Sequence, residues 1–153
     1  MRIKVGDEII SNRIKIRIRL DYKGETKPPR FFFGGKTTDK VAQELREQKA
    51  ALIRNIPVQG INIEDINCNM EIYHVTDELE REEVAFAPIV ITLSADSIED
   101  VIRFIMREEF RKIEIIEPDN VVFSRQDLER FLVKINEEMD SNKQLWEKKS
   151  TNR

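Results

Sequence analysis

RIKIRIRLDY, at positions 13–22, sets an apolar residue at every second place: Ile14, Ile16, Ile18, Leu20 and Tyr22. Arg13, Lys15, Arg17, Arg19 and Asp21 fill the alternate places. Successive side chains of a strand point to opposite faces, so this alternation predicts a half-buried strand. One face belongs to a core, and the other carries four cations in a row.

The flanking segments are read outward from that strand. Upstream, Val5, Ile9 and Ile10 supply a short additional strand. Downstream, KGETKPP (23–29) is a turn-rich connector, and RFFFGG (30–35) reads as a short apolar strand stopped by two glycines. Residues 38–55 form a helix with Thr38 as its N-cap and Asp39 at the positive end of its dipole. Its buried stripe is Val41, Ala42, Leu45, Leu52 and Ile53, weakened by Gln48 and Lys49. Pro57 and Gly60 close it, and 61–75 reads as a strand. Ile66, Cys68, Met70, Ile72 and His74 share one face there. Ile61 and Ile63 have the opposite parity, which puts a bulge or break at Glu64 and Asp65.

An acidic loop (76–83) leads into VAFAPIVITL (84–93), a strand that is apolar on both faces and is expected to be covered on both. Ser97 and Asp100 give a capping-box pattern for a helix whose stripe is Ile98, Val101, Ile102, Ile105 and Met106. KIEII (112–116) is a short strand, and Pro118, Asp119 and Asn120 turn the chain. Ser124 and Asp127 cap a last helix with Leu128, Phe131, Leu132, Ile135 and Met139 as its stripe. Trp146 lies two turns beyond Met139, across the poor helix formers at 140–142.

From residue 13 the order is βαββαβ and then a helix. This predicts an α+β protein of ferredoxin-like arrangement: an antiparallel sheet, two crossover helices on one face, and an added C-terminal helix. The domain is expected to span 1–139, with the last helix at about 124–139 and with 140–153 a helix extension or flexible tail. Pro88 resists the scheme, because it falls in an interior strand to which it cannot donate. Either only 89–93 is paired, or Pro88 sits at a bulge, or the topology differs.

Composition narrows the setting. The 153 residues are 40% hydrophobic and 36% charged, enough for a core inside a heavily charged surface. Cys68 is the sole cysteine, so no disulfide forms within the chain and a cytoplasmic, reducing compartment is expected. The first ten residues are too charged for a signal peptide, and no apolar run approaches the ~20 residues that span a bilayer. The net charge of -3 confines any nucleic-acid role to a local patch.

The candidate chemical motifs fall away one by one. GGKTT (34–38) opens a helix as a phosphate loop does, but Arg30 stands where such a loop needs glycine. Cys68 and His74, six residues apart on one strand, are about 20 Å from each other and cannot form a nucleophile–base pair or share a metal. The acidic loop lacks the calcium-loop pattern. No metal site, cofactor or catalytic constellation is identified.

The basic strand is left. Arg13, Lys15, Arg17 and Arg19, with Tyr73 and Phe86 sharing their face, match the open basic sheet of single-strand binders without the paired-aromatic signature. The competing expectation is a salt-bridged face, with Glu71 and Glu114 opposite the cations. The leading functional expectation is a non-enzymatic interaction or regulatory module acting as a homodimer or with a protein partner. Val84, Phe86, Val90 and Ile116 leave apolar surface away from the helices, and the last helix continues its stripe to Trp146. Single-stranded nucleic-acid binding on the basic strand is the alternative. An enzyme ranks third.

Overall fold

The computed structural model describes residues 2–5, 8–10, 13–25, 37–79 and 82–151. The expected strand at 30–35 and the glycines of GGKTT lie outside the described residues. The described chain is α+β, with antiparallel sheet and three helices. In order, the elements are β1 (Arg2–Val5), β2 (Glu8–Ile10), β3 (Ile14–Gly24), α1 (Thr38–Asn55), β4 (Ile61–Asn67) and β5 (Tyr73–Asp77). Then follow β6 (Glu82–Ala95), α2 (Ile98–Ile105), β7 (Phe110–Glu117), β8 (Val121–Val122) and α3 (Arg125–Thr151).

The alternation at the start of β3 is realised. Ile14, Ile16, Ile18, Leu20 and Tyr22 are buried. β6 runs antiparallel beside β3 along its whole length, from Ile14 opposite Ala95 to Gly24 opposite Ala85. Its inward residues Ala85, Ala87, Ile89, Ile91, Leu93 and Ala95 are buried as well. The main sheet has the order β4-β6-β3-β7, with β5 also paired to β6. A small sheet, β2-β1-β8, stands apart from it. Helices α1 and α2 pack on the apolar face of β3 and β6, α2 also reaching β7. On the opposite face Val84, Phe86 and Val90 are only half-buried, so the expected cover on both faces of this strand is realised on one.

The expected second strand is two strands. β4 pairs with β6 from Ala95 to Val90, with a register shift between Ile63 and Asp65, where the sequence places one. β5 pairs with β6 from Phe86 to Glu82. Residues 87–89 of β6 are thus unpaired on that side, and Pro88 sits in the middle of the gap. On the other side Pro88 lies opposite Asp21, whose N–H points away to the Glu109 carbonyl at 2.8 Å. No ladder bond is therefore asked of the proline nitrogen, and β6 runs through it.

Arg46 of α1 fills the gap. It is 5% exposed, and its Nη1 donates to the Met70 carbonyl at 2.7 Å and the Pro88 carbonyl at 3.3 Å. The guanidinium satisfies backbone acceptors that a continuous edge strand would have satisfied. The inner stripe of α1 is accordingly Ala42, Arg46 and Ala50, flanked by Leu45 and Ile53. Leu52, expected inside, is 43% exposed. Small residues let the helix lie close to the sheet. A Cβ on Gly24 would stand 2.2 Å from the Thr38 carbonyl oxygen and 2.7 Å from the Ala42 nitrogen.

The caps differ from expectation in two places. Thr37, not Thr38, caps α1, its Oγ1 accepting from the Lys40 N–H at 3.3 Å. The Ser97 hydroxyl donates to Asp100 Oδ2 at 3.0 Å and makes no bond to the backbone of α2. The box at α3 closes in both directions: Asp127 N–H donates to Ser124 Oγ at 3.0 Å, and Ser124 N–H to Asp127 Oδ2 at 3.1 Å. α3 continues through 140–142 to Thr151. No helix among the described residues is long and apolar enough to cross a membrane.

Candidate functional site

The cations of β3 are each answered by a carboxylate. Arg13 pairs with Asp96 (2.8 Å), Lys15 with Glu64 (3.4 Å) and Arg17 with Glu114 (3.3 Å). Arg19 pairs with Asp21 (2.9 Å) and Lys23 with Glu25 (3.5 Å). Register explains the choices. Glu114 of β7 lies opposite Arg17, while Lys112 lies opposite Arg19, so Arg19 turns along its own strand to Asp21. Glu114 takes up its expected place, whereas Glu71 makes no such pair among the described residues. Lys112 and then Arg17 hold the Glu114 carboxyl below the ordinary value. The Ser94 hydroxyl and then Lys15 do the same for Glu64. Most of these pairs are half in water, where solvent and salt screen them.

Asp21 is the exception, being 2% exposed. Arg19 forks onto it, with Nε to Oδ1 at 2.9 Å and Nη2 to Oδ2 at 3.2 Å. The Tyr73 hydroxyl donates to Oδ2 at 2.5 Å, and Arg111 Nε stands 3.7 Å away. One buried carboxylate thus meets two guanidinium groups and a phenol. The Tyr73 ring stacks on Phe86 across β5 and β6, with centroids 5.4 Å apart and planes 15° apart. Arg111 lies 5.7 Å from the centre of the Phe86 ring. Burial, and then the bond to Asp21, push the Tyr73 phenol above its ordinary value. Arg19 and Tyr73 are aimed at Asp21, Arg111 also donates to the Glu108 and Phe110 carbonyls, and the phenol is not poised to give up a proton near neutrality. The cluster is suited to hold strands together and to present an aromatic surface.

The remaining candidates are scattered. Val84, Val90 and Ile116 are half-buried, and the side chain of Trp146 lies outside the described residues. The largest run of uncovered apolar side chains is on α3. Leu128, Leu132, Val133, Met139 and Leu145 are between 48% and 58% exposed. The inner side of α3 packs on α2. Arg130 Nε meets Glu99 Oε1 at 3.2 Å near one end, and Asn142 Nδ2 donates to the Met106 carbonyl at 2.8 Å near the other. Among the described residues no group of three or more His, Cys, Asp or Glu is placed to hold a metal ion.

Asp21, Arg111 and Arg46 are not among the candidate residues that the sequence offers. A signal existed for Asp21, because it continues the period of Arg17 and Arg19 and so shares their face. Arg111 and Arg46 carry none, since their roles depend on the register of β7 and on the break between β4 and β5. Compared with family models, curated proteins and solved structures, the chain matches none of them.

Proposed function

We propose that the chain is a non-enzymatic interaction or regulatory module that acts as a homodimer, pairing through α3. The observation that carries this is the exposed stripe. The exposed Leu128, Leu132 and Met139, with the half-buried Ile135 between them, follow one another at intervals of four, three and four, the seam spacing of a helix that packs along another helix. Full burial of one such side chain is worth roughly 1.5–3 kcal/mol, so covering half-exposed ones gives about 1 kcal/mol each. Two copies together gain an amount comparable with the ~4–15 kcal/mol cost of association. That balance favours a concentration-dependent dimer over an obligate one. Replacing Leu132 and Met139 with Asp is expected to abolish self-association in sedimentation velocity while leaving the circular dichroism unchanged. A dimer that persists in the double variant rejects α3 as the interface.

Single-stranded nucleic-acid binding keeps second place because of the Tyr73–Phe86 stack and the flanking Arg19 and Arg111. The carboxylate at each β3 cation weighs against it. Fluorescence anisotropy with a single-stranded oligonucleotide decides the matter. Phosphate contacts give a log–log salt slope near -0.7 each, and no salt-dependent binding is expected here.

For the fold we favour the ferredoxin-like arrangement, counting β4 and β5 as one strand interrupted opposite Pro88. The order over 14–117 is then βαββαβ, and the first and third of these strands, β3 and β6, lie in the middle of the sheet. A reducing cytoplasm suits a chain whose lone cysteine is unpaired and packed against the core.

A further inference from the structure

Between the C-terminal half of α1 and the C-terminal end of α2 lies a cleft of about 440 Å³. That volume falls in the range of small-molecule sites. Its walls are apolar, with Ile53 from α1, Ile56 at its C-cap, Val58 and Ile61 beyond it, and Phe104 from α2. Leu52 and Ile56, on the α1 side, are 43% and 56% exposed, so the apolar wall faces water. Four cations complete the lining: Lys49 and Arg54 on the α1 side, Arg103 and Arg107 on the α2 side. Among the described residues no carboxylate lines the cleft. In a chain where 29 acidic residues outnumber 26 basic ones, and where the β3 cations are all paired, this segregation stands out.

The floor adds an independent observation. Tyr22 lines the cleft and is 1% exposed, and its hydroxyl, though near the Arg107 side chain, makes no hydrogen bond of ordinary geometry. A buried hydroxyl without a partner is costly, and a ligand that reaches it removes the cost. Burial pushes the Tyr22 phenol up, the Arg107 guanidinium pulls it down, and the Glu109 carboxylate pushes it up. Arg107 is itself held over the cleft, with Nε and Nη2 donating to the Arg103 carbonyl at 3.3 and 3.2 Å and its guanidinium 5.3 Å from the centre of the Phe104 ring. Its positive charge meets no carboxylate among the described residues.

We propose that this cleft binds a small amphipathic anion: an apolar chain lying along Leu52, Ile53 and Ile56, and a single carboxylate head held by Arg107, Arg103 and the Tyr22 hydroxyl. The head takes charge-assisted hydrogen bonds and gives the orphaned hydroxyl an acceptor. The chain covers the apolar wall. The site is separate from the exposed stripe of α3 and does not depend on dimer formation.

The test uses the intact chain and two probes of equal length, dodecanoate and dodecan-1-ol, kept below the micelle threshold and competed against the fluorescent anion 1-anilinonaphthalene-8-sulfonate. Dodecanoate is expected to displace the dye at least about tenfold more effectively than the alcohol, the scale of one charge-assisted hydrogen bond. Replacing Arg103 and Arg107 with Gln is expected to remove that preference while leaving the alcohol unchanged. Tyr22→Phe, which deletes the hydroxyl and keeps the ring, is expected to weaken dodecanoate binding without lowering the melting temperature. Equal affinity for acid and alcohol, or a preference that survives in the Gln variant, overturns the proposal. If a second copy covers Leu52 and Ile56 instead, Leu52→Asp lowers the mass seen by light scattering and dodecanoate shows no advantage, which also overturns it.

Discussion

His74 is the one histidine of the chain, and its Nε2 lies 2.5 Å from Asp39 Oδ1 in the first turn of α1. The bond to Asp39 raises the imidazole above its ordinary value of 6.5. A raised histidine contributes stability that is fully present below the unfolded value and is lost as the pH rises through the folded one. The His74–Asp39 contribution is therefore complete well below the ordinary imidazole value and is lost as the pH rises through the raised one. Proton NMR should show a single imidazole titrating above 6.5, moving back toward that value in Asp39→Asn. A midpoint at or below 6.5 in the parent chain shows that the pair does not form. Glu64 and Glu114 act in the opposite sense. Their values are lowered from 4.5, so their contribution is present above that pH and is lost as the pH falls. Single residues were partly legible from sequence. The burial of Ile14, Ile16, Ile18 and Leu20 follows from alternation alone, because a strand has only two faces. Which acid answers which cation does not follow, because it depends on register: Glu114 meets Arg17, but Glu64 and Asp96 serve Lys15 and Arg13 and Glu71 serves neither.

At the scale of elements, α2 is held by Val101, Ile102 and Phe104, which are buried, while Ile105 is its last residue and only half-buried. Ile102→Ala is expected to cost ~2–5 kcal/mol in urea melts, the range for truncating a buried aliphatic side chain. The exposed Glu108 changed to Ala should cost under ~0.5 kcal/mol. Comparable losses mean that the wrong face has been assigned to the core. The break between β4 and β5 gives a second expectation. Arg46→Met keeps length and volume but leaves the Met70 and Pro88 carbonyls without their donor. Each lost bond of this kind costs about 1–3 kcal/mol, so a loss of about 2–6 kcal/mol is expected for the two, with faster hydrogen exchange in β5. A neutral substitution shows that water serves those carbonyls equally well. The span of helix α1 was legible, since an acidic first turn and a following proline mark its ends, but the cap is Thr37 and not the expected Thr38, because two adjacent threonines offer the same side chain. The edge strand was not. Pro88 signalled trouble in the sheet, but that the neighbouring strand is the one that breaks, and that an arginine on a helix fills the break, depends on three segments meeting in space.

At the scale of the whole molecule, the unusual feature is a helix of 27 residues that packs on α2 by one side only. At 1.5 Å per residue it spans roughly 40 Å. The stripe was visible in the sequence from Leu128 to Met139, and the continuation of the helix past Asp140, Ser141 and Asn142 was left open because those residues form helix poorly. The Asn142 side chain, bound to the Met106 carbonyl, contributes a tertiary anchor that propensity does not register. Such an uncovered stripe is an invitation to a second helix. Light scattering of the full chain, coupled to size exclusion and run from about 1 to 100 micromolar, measures this directly. A mass that rises with concentration toward twice the 18.1 kDa of one chain, and that stays at 18.1 kDa when Leu132 and Met139 are changed to Asp, is the expected result. A constant 18.1 kDa for the unmodified chain across that range contradicts self-association through α3.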